Sequence, residues 1–310
     1  MGNGRRPHRA CVRAALCASV VAVVSPLVAP GLSGAQAESL GAVLGRATEY
    51  VDDLHERLTN VVMEERYEQS ATMPASAGFG GRAGFDRVTL RSDYLLVRPE
   101  GSYRHFGFRD VFEVDGSTVQ DRAERLRGLF LDPSATVRDR IQGILTDSSR
   151  YNVGDIERNT NTPTLALLFL HSSFKTRFDF ERLSDGEDPE LGVDLPDDAG
   201  DVWVVAYRET WPTTVIQQRR GGNVPSRGRY FIEAATGRVL VTELSFDDPN
   251  LESLIVVRYA MDETIGHPVP VEMRERYANR QSGSRVTGTA EYSEFRRFQV
   301  VVEESDVFRN

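Results

Sequence analysis

The sequence predicts an α+β fold in which a strongly curved antiparallel sheet wraps around an N-terminal helix and carries an inserted helical segment. One long amphipathic period stands near the start of the chain, and a helical region follows at about residues 121–171. Beyond residue 200, segment after segment alternates apolar and polar side chains. Such alternation is typical of antiparallel sheets with one covered and one solvated face.

Residues 1–37 have the three parts of an export signal. A basic start without acidic residues leads into an apolar run at 14–29, and Ala35-Gln36-Ala37 supplies the small-x-small pattern that signal peptidase cuts. The basic start contains four arginines: Arg5, Arg6, Arg9 and Arg13. We therefore predict a signal peptide at 1–37, cleavage between Ala37 and Glu38, and a periplasmic or secreted protein.

Two alternatives to this interpretation concern the same segment. A retained transmembrane anchor needs about 20 consecutive apolar residues, whereas this run is shorter and is interrupted by Pro26 and Pro30. The Arg5-Arg6 pair leaves the export route open between the general secretory and the twin-arginine pathways. We expect no stable membrane anchor after cleavage.

The composition of the remaining chain excludes several functions. Both cysteines, Cys11 and Cys17, fall in the predicted signal, so the exported chain has no thiol chemistry and no disulfide. It keeps 33 basic residues against 46 acidic ones, a net charge of −13, which argues against nucleic acid as a partner. The length fits a single domain at 38–303.

The first half of this domain mixes helices and strands. Apolar residues recur at three- and four-residue steps from Glu38 to about Val62, which predicts an amphipathic helix. Strands are predicted at 63–69, 88–98 and 110–114, and the last of them meets the tight-turn pair Asp115-Gly116.

The predicted insertion contains three helical stretches. Residues 121–131 have helical periodicity, and Pro133 is expected to open a second helix. Thr162-Pro163 indicates an N-cap followed by proline in the first turn, so the apolar run 165–170 is predicted to form a short buried helix.

The second half is predicted to be almost entirely β structure around an acidic loop at 184–200. The predicted strands are residues 175–183, 202–209, 229–233, 239–246, 254–261, 269–277, 285–292 and 295–302.

Motifs for catalysis or metal binding are missing from the sequence. The five histidines have no metal-like spacing, and neither an HExxH nor a GxSxG motif occurs. We therefore predict a protein that is not an enzyme, with no catalytic residues, metal or cofactor. One acidic cluster leaves calcium binding open beside a plain solvated loop: Asp194, Asp197, Asp198 and Asp201.

Three segments together resemble the superfamily of the periplasmic lipoprotein-localisation factors LolA and LolB. They are the helix-to-strand entry at 54–69, the hairpin at 228–239, and the run from Val256 through Pro270-Val271-Glu272-Met273 to Phe298. The resemblance implies an incomplete β-barrel entered by an N-terminal helix, with further helices that cover its cavity. This chain is longer, its stretch 121–171 is extra or much expanded, and no lipid-handling residue is carried over.

The concave apolar face of such a sheet is either a ligand cavity or a packed core. Large apolar and aromatic side chains with a few polar ones line cavities for apolar ligands. The candidates are Trp203, Tyr207, Phe231, Tyr259, Met273, Tyr277 and Tyr292. The first hypothesis is a non-catalytic protein that binds a lipid, a lipoprotein or another lipidated envelope protein; the alternatives are an envelope scaffold or interaction module with a filled core, and a hydrolase.

Overall fold

The structure is a computed structural model that describes residues 38–75, 83–98, 103–125, 136–158, 161–184, 186–217 and 222–297. Residues 1–37 and 38–310 are separate units, and all described residues belong to the second. The predicted signal peptide therefore lies outside the described residues.

Eleven antiparallel strands form one sheet in the order β4-β3-β2-β1-β13-β12-β11-β10-β9-β6-β5, and β7 and β8 form a separate small hairpin. Within the described residues the two end strands, β4 and β5, do not pair with each other, so the sheet is open. This confirms the predicted α+β fold with an open antiparallel sheet. The strands are β1 Val61–Met73, β2 Gly84–Val97, β3 Phe106–Val114, β4 Ser117–Thr118, β5 Phe178–Arg182, β6 Val202–Glu209, β7 Ile216–Gln217, β8 Asn223–Val224, β9 Ser226–Glu233, β10 Val239–Phe246, β11 Leu251–Asp262, β12 His267–Asn279 and β13 Arg285–Arg297.

The N-terminal helix α1, Leu40–Arg57, packs on one face of this sheet, against β10 and β12. We call this face the concave face. Ser39 caps the helix, since its Oγ accepts a hydrogen bond from the Ala42 N–H at 3.2 Å. The apolar stripe predicted from the sequence is buried. Each side chain of that stripe removes apolar surface from water, a gain of roughly 1.5–3 kcal/mol for a fully buried leucine or valine.

The helix is shorter than predicted, because the chain turns before Val61. Asn60 has φ 65°, in the left-handed region that asparagine tolerates better than most residues. This residue ends the turn after α1 and immediately precedes β1, so the predicted continuation of the helix to about Val62 is too long by about five residues.

The turn of the β3–β4 hairpin is the one that the sequence predicts. Asp115 and Gly116 have φ of 47° and 80°, as both central residues of a type I′ turn require. The Asp115 carboxylate also accepts a hydrogen bond from the Thr89 N–H at 2.8 Å.

Helix α2, Val137–Ser148, lies in the predicted insertion and packs against β3. Thr136 caps it in a capping box with Asp139, in which each side chain bonds the other residue's backbone N–H. The expected start at Pro133 and most of the expected helix at 121–131 lie outside the described residues; residues 122–125 are helical.

A segment that we call the plug, residues 161–171, lies against the concave face beside α1. Its centre is a 3-10 helix, Ala166–Phe169, and all eleven residues are buried. The predicted short buried helix is thus present, as a 3-10 helix of four residues.

Two strand predictions need correction. The segment predicted as one strand at 175–183 begins with a 3-10 turn, Lys175–Arg177, before β5. The two strands predicted from residue 285 onward are one strand, β13, within the described residues. Glu294 has φ 50° and the register with β1 shifts beside it. This β-bulge changes which side chains face inward, so the alternating pattern breaks although the strand does not.

Candidate functional site

The concave face carries the largest apolar core of the molecule, shared by α1, the plug and inward-facing side chains of the long strands. Phe169 is fully buried and stacks on Phe178, with ring centroids 4.6 Å apart and an angle of 22° between the rings. Tyr207 meets the Phe169 ring edge-on at 5.7 Å. The plug therefore fills the space beside this face in which the sequence predicts either a ligand cavity or a packed core.

Sheet tyrosines hold the plug through its backbone. Tyr230 donates a hydrogen bond to the Ala166 carbonyl at 2.7 Å, and Tyr259 donates one to the Pro163 carbonyl at 2.5 Å. Beyond the plug, Lys175 Nζ donates to the Leu44 carbonyl of α1 at 3.1 Å. Both tyrosine hydroxyls are buried, and burial raises the pKa of Tyr230 well above its ordinary value, which keeps this hydroxyl a donor.

Six of the seven sequence-predicted cavity residues lie in the core of the concave face, and none of the seven is more than 5 % exposed. The six are Trp203, Tyr207, Tyr259, Met273, Tyr277 and Tyr292. The seventh, Phe231, lies on the opposite face, in a smaller cluster beneath the loop that contains Val193. It follows Tyr230 directly in β9, and adjacent strand residues point to opposite faces.

The tyrosine hydroxyls among these six residues have partners inside the protein. Tyr207 donates to the Glu243 carbonyl at 2.8 Å, and Tyr277 donates to a carboxylate oxygen of Glu275 at 3.1 Å. The Tyr292 hydroxyl lies 3.9 Å from Met273 Sδ. The Trp203 ring is covered by Arg182, whose guanidinium carbon lies 3.5 Å from the ring centroid. These side chains are packed against their neighbours in this structure.

A buried ionic cluster occupies the part of the concave face beneath β1, β2, β3 and β12. Arg109 binds both carboxylate oxygens of Glu65, with one bond of 2.8 Å, and both side chains are at most 2 % exposed. The Arg109 guanidinium also stacks on Tyr67, with its carbon 4.4 Å from the ring centroid. A bidentate arginine–carboxylate pair has two parallel hydrogen bonds and a fixed geometry.

The second pair in this ionic cluster is Arg158 with Glu275. Arg158 Nε lies 3.8 Å from Glu275 Oε1, and neither side chain is exposed. Gln69 accepts a hydrogen bond from Arg158, and Tyr67 donates one to Glu275. Burial, followed by the Glu275 charge, raises the pKa of Tyr67 well above its ordinary value. Two arginines and two carboxylates balance, so the cluster is neutral as a whole. Sequence reasoning missed it, because its members come from four distant segments.

Three histidines meet at the C-terminal end of α1, although more than 45 residues separate each from the next. The His55 ring centroid lies 4.2 Å from that of His105 and 5.2 Å from that of His171. Burial, then His171 and Arg98, lower the pKa of His55 to about 4. Burial, then His55, lower that of His105 to about 3. The sequence carried one usable signal: His55 follows Val51 by four residues, on the buried stripe of α1.

The opposite face of the sheet carries a polar groove of about 870 Å³ between β5 and β10. Arg229 in this groove binds the Glu243 carboxylate with bonds of 2.6 and 2.9 Å and also binds Glu187 at 2.5 Å. The positive charge of Arg229 is therefore paired with carboxylates of the protein itself. Charged side chains line much of the groove beside apolar ones such as Phe180 and Leu183, so it lacks the predominantly apolar lining of a site for an apolar ligand.

The described part of the chain contains no candidate metal site and no candidate membrane-spanning helix. No group of three or more histidine, cysteine, aspartate or glutamate residues there is placed to hold a metal ion. Of the acidic residues considered for calcium, Asp198 pairs with Arg238 at 3.0 Å. None of the described helices is long and apolar enough to cross a membrane.

The structure is similar to a crystal structure described as an outer membrane lipoprotein-sorting protein domain from Vibrio parahaemolyticus, with a TM-score of 0.29 and 12 % sequence identity over 83 % of this chain and 95 % of that chain. No family model and no curated protein matches the sequence.

Proposed function

We propose that this is an exported, non-catalytic protein of the cell envelope, and that it binds the acyl chains of a lipid or lipidated partner on the concave face, in the space that the plug fills. The observation that carries the proposal is the plug itself. Its run Leu-Ala-Leu-Leu-Phe-Leu at 165–170 is buried against sheet and helix, and it presents to them the apolar surface that an acyl chain would also present.

The plug is held in a way that permits exchange. Its regular structure is four residues of 3-10 helix, which is weaker than α-helix and has poorer hydrogen-bond geometry. A neutral hydrogen bond of the kind that Tyr230 and Tyr259 make contributes about 1 kcal/mol net. An acyl chain that replaced the plug would recover about 0.8 kcal/mol for each CH₂ group it buries.

In this proposal the six cavity candidates of the concave face line the site once the plug has moved. Phe231 belongs to the other face and is left out. The buried ionic cluster closes one end of the apolar region, because its paired charges offer no apolar surface.

The test is native mass spectrometry of the purified protein after incubation with phosphatidylglycerol or with a synthetic diacylated lipopeptide. We expect one bound lipid per chain. The variant Y230F/Y259F, which loses both hydroxyl contacts to the plug, should bind more lipid at the same concentration. Failure of both proteins to retain lipid would contradict the proposal.

The second candidate is an envelope scaffold or interaction module with a permanently filled core. The specific observation in its favour is that all seven predicted cavity residues are at most 5 % exposed. If the wild type and Y230F/Y259F bind no lipid but a cross-linked partner protein is recovered, this candidate replaces the first.

A further inference from the structure

The three-histidine cluster lies where three parts of the molecule meet. His55 is in the last turn of α1, His105 immediately precedes β3, and His171 is the last residue of the plug. All three residues are at most 6 % exposed. The His55 ring contacts the rings of both His105 and His171, so the cluster links the end of the plug to the helix and to the sheet.

The groups around the cluster leave its charge unbalanced if it gains protons. Among the described residues, the carboxylates that face the cluster are those of Asp52 and Glu56 in α1. Glu56 is bound by Arg98 with bonds of 2.5 and 2.8 Å. Asp52 Oδ1 accepts from the Ser172 N–H at 2.9 Å and lies 3.5 Å from His171 Nε2.

The remaining neighbours are neutral or positive. Thr59 Oγ1 lies 3.3 Å from His105 Nε2, and the rings of Tyr103 and Phe174 lie 5.3 and 6.4 Å from that of His171. Arg98 adds a positive charge. Two protonated imidazoles in contact repel each other, and the buried site screens that repulsion poorly.

We propose that His55, His105 and His171 form a proton-sensitive latch that keeps the plug seated near neutral pH and releases it in acid. This latch deepens the proposed function, since it rests on the plug being the occupant of the lipid site. It makes lipid exchange a process that acid favours.

The direction follows from linkage between protonation and opening. In the closed protein His55 and His105 have lowered pKa values, about 4 and about 3, whereas an exposed histidine titrates near about 6.5. Below about pH 6.5 the open form therefore binds more protons than the closed form. The equilibrium favours the closed form fully above that pH, and this preference weakens as the pH falls toward 4.

The test is hydrogen–deuterium exchange of the full protein, read by mass spectrometry on peptides that cover the plug and corrected for the intrinsic pH dependence of exchange. Between pH 7.5 and 5.0 we expect protection of the plug amides to fall at least tenfold relative to those of β12, because two depressed titrations each favour opening by about tenfold per pH unit. In H55Q/H105Q, whose side chains do not titrate, the relative loss should be less than twofold.

The matched control is H267Q. His267 is also buried, at 2 % exposure, but it lies at the start of β12, where its Nδ1 contacts the Pro268 carbonyl. This variant should lose plug protection in acid as the wild type does. If the double variant is poorly folded by circular dichroism, the single variant H105Q replaces it and should lose about half of the pH response on a logarithmic scale, because His55 still titrates.

The latch is overturned if plug protection in the wild type does not change with pH, or if H55Q/H105Q keeps the full acid response while folded. Neither readout contains lipid. A plug that opens in acid but never binds lipid therefore supports the latch and contradicts the proposed function.

Discussion

Two regions of the same concave face are filled in opposite ways. Beneath β9, β10 and β11 the space holds the leucine and phenylalanine side chains of the plug, whereas beneath β1, β2 and β3 it holds arginine–carboxylate pairs. Apolar contacts are non-directional, so one apolar occupant can replace another. A buried ion pair depends on its own partner, since a lone buried charge is strongly unfavourable. The apolar region is thus suited to exchange, and the ionic region to holding the sheet in one shape.

The largest expected effect separates the two regions most sharply. Arg109→Leu leaves Glu65 buried without its partner and should lower the free energy of unfolding by about 3–5 kcal/mol. Urea denaturation measures this. The double variant E65L/R109L should recover most of the loss, because it leaves no unpaired charge.

A matched control for this prediction is Arg57→Gln. It breaks the exposed helical pair with Asp53 and should change stability by less than about 0.5 kcal/mol. An effect of Arg109→Leu as small as that of the control would mean that the ionic region does not fix the fold.

The second prediction compares two fully buried phenylalanines. Phe169→Ala in the plug and Phe231→Ala on the opposite face should each destabilise by about 3–5 kcal/mol. A diacylated lipopeptide should raise the melting temperature of Phe169→Ala but not of Phe231→Ala, because only the first cavity adjoins the proposed lipid site. Equal responses of both variants would show that the lipid does not distinguish the faces.

The third prediction concerns global stability as a function of pH. The lowered pKa values of His55 and His105 mean that the unfolded chain binds more protons below about pH 6.5, so stability is lost as the pH falls. Each histidine contributes about 1.4 kcal/mol per pH unit in that window. The wild type should therefore lose about 2–3 kcal/mol more than H55Q/H105Q between pH 6.5 and 5.5, as measured by urea denaturation at each pH; parallel curves would contradict the low pKa values.

The smallest effects compare hydroxyl groups in the two regions. Tyr230→Phe removes a bond to a neutral carbonyl of the plug and should cost about 1 kcal/mol. Tyr277→Phe removes a bond to the buried Glu275 carboxylate and should cost about 1.5–3 kcal/mol, since bonds to charged groups are stronger. The decisive result is which variant loses more stability in urea denaturation. A larger loss for Tyr230→Phe would argue against charge as the source of rigidity in the ionic region.

The local pattern of apolar and polar residues was enough to predict much of the sheet, but it did not fix every boundary. β6 and β10 match the predicted bounds because uninterrupted alternation marks a strand with one covered face. β13 was divided in the prediction, because the bulge at Glu294 shifts the alternation by one residue. Helix α1 was extended too far, because its periodicity alone does not show that Asn60 turns the chain.

The candidate site was predicted only in its apolar part. Alternation placed Trp203, Tyr207 and Tyr259 among the inward-facing residues. Phe231 was chosen for its large aromatic side chain alone, so its position on the opposite face was not predicted. The histidine and ionic clusters join residues from separate segments. Apart from the position of His55 on the buried stripe of α1, their sequence spacing therefore carries no signal, and only the folded chain brings them together.

The contact between Lys175 and α1 has a practical consequence. Lys175 is the only lysine in the sequence, and it lies four residues beyond the plug with its ammonium group on the Leu44 carbonyl. Burial lowers the pKa of this lysine, which increases the share of reactive amine at a given pH. An amine-reactive fluorophore would thus attach to one defined side chain in addition to the α-amino group, and the protein carries a built-in labelling position four residues beyond its plug.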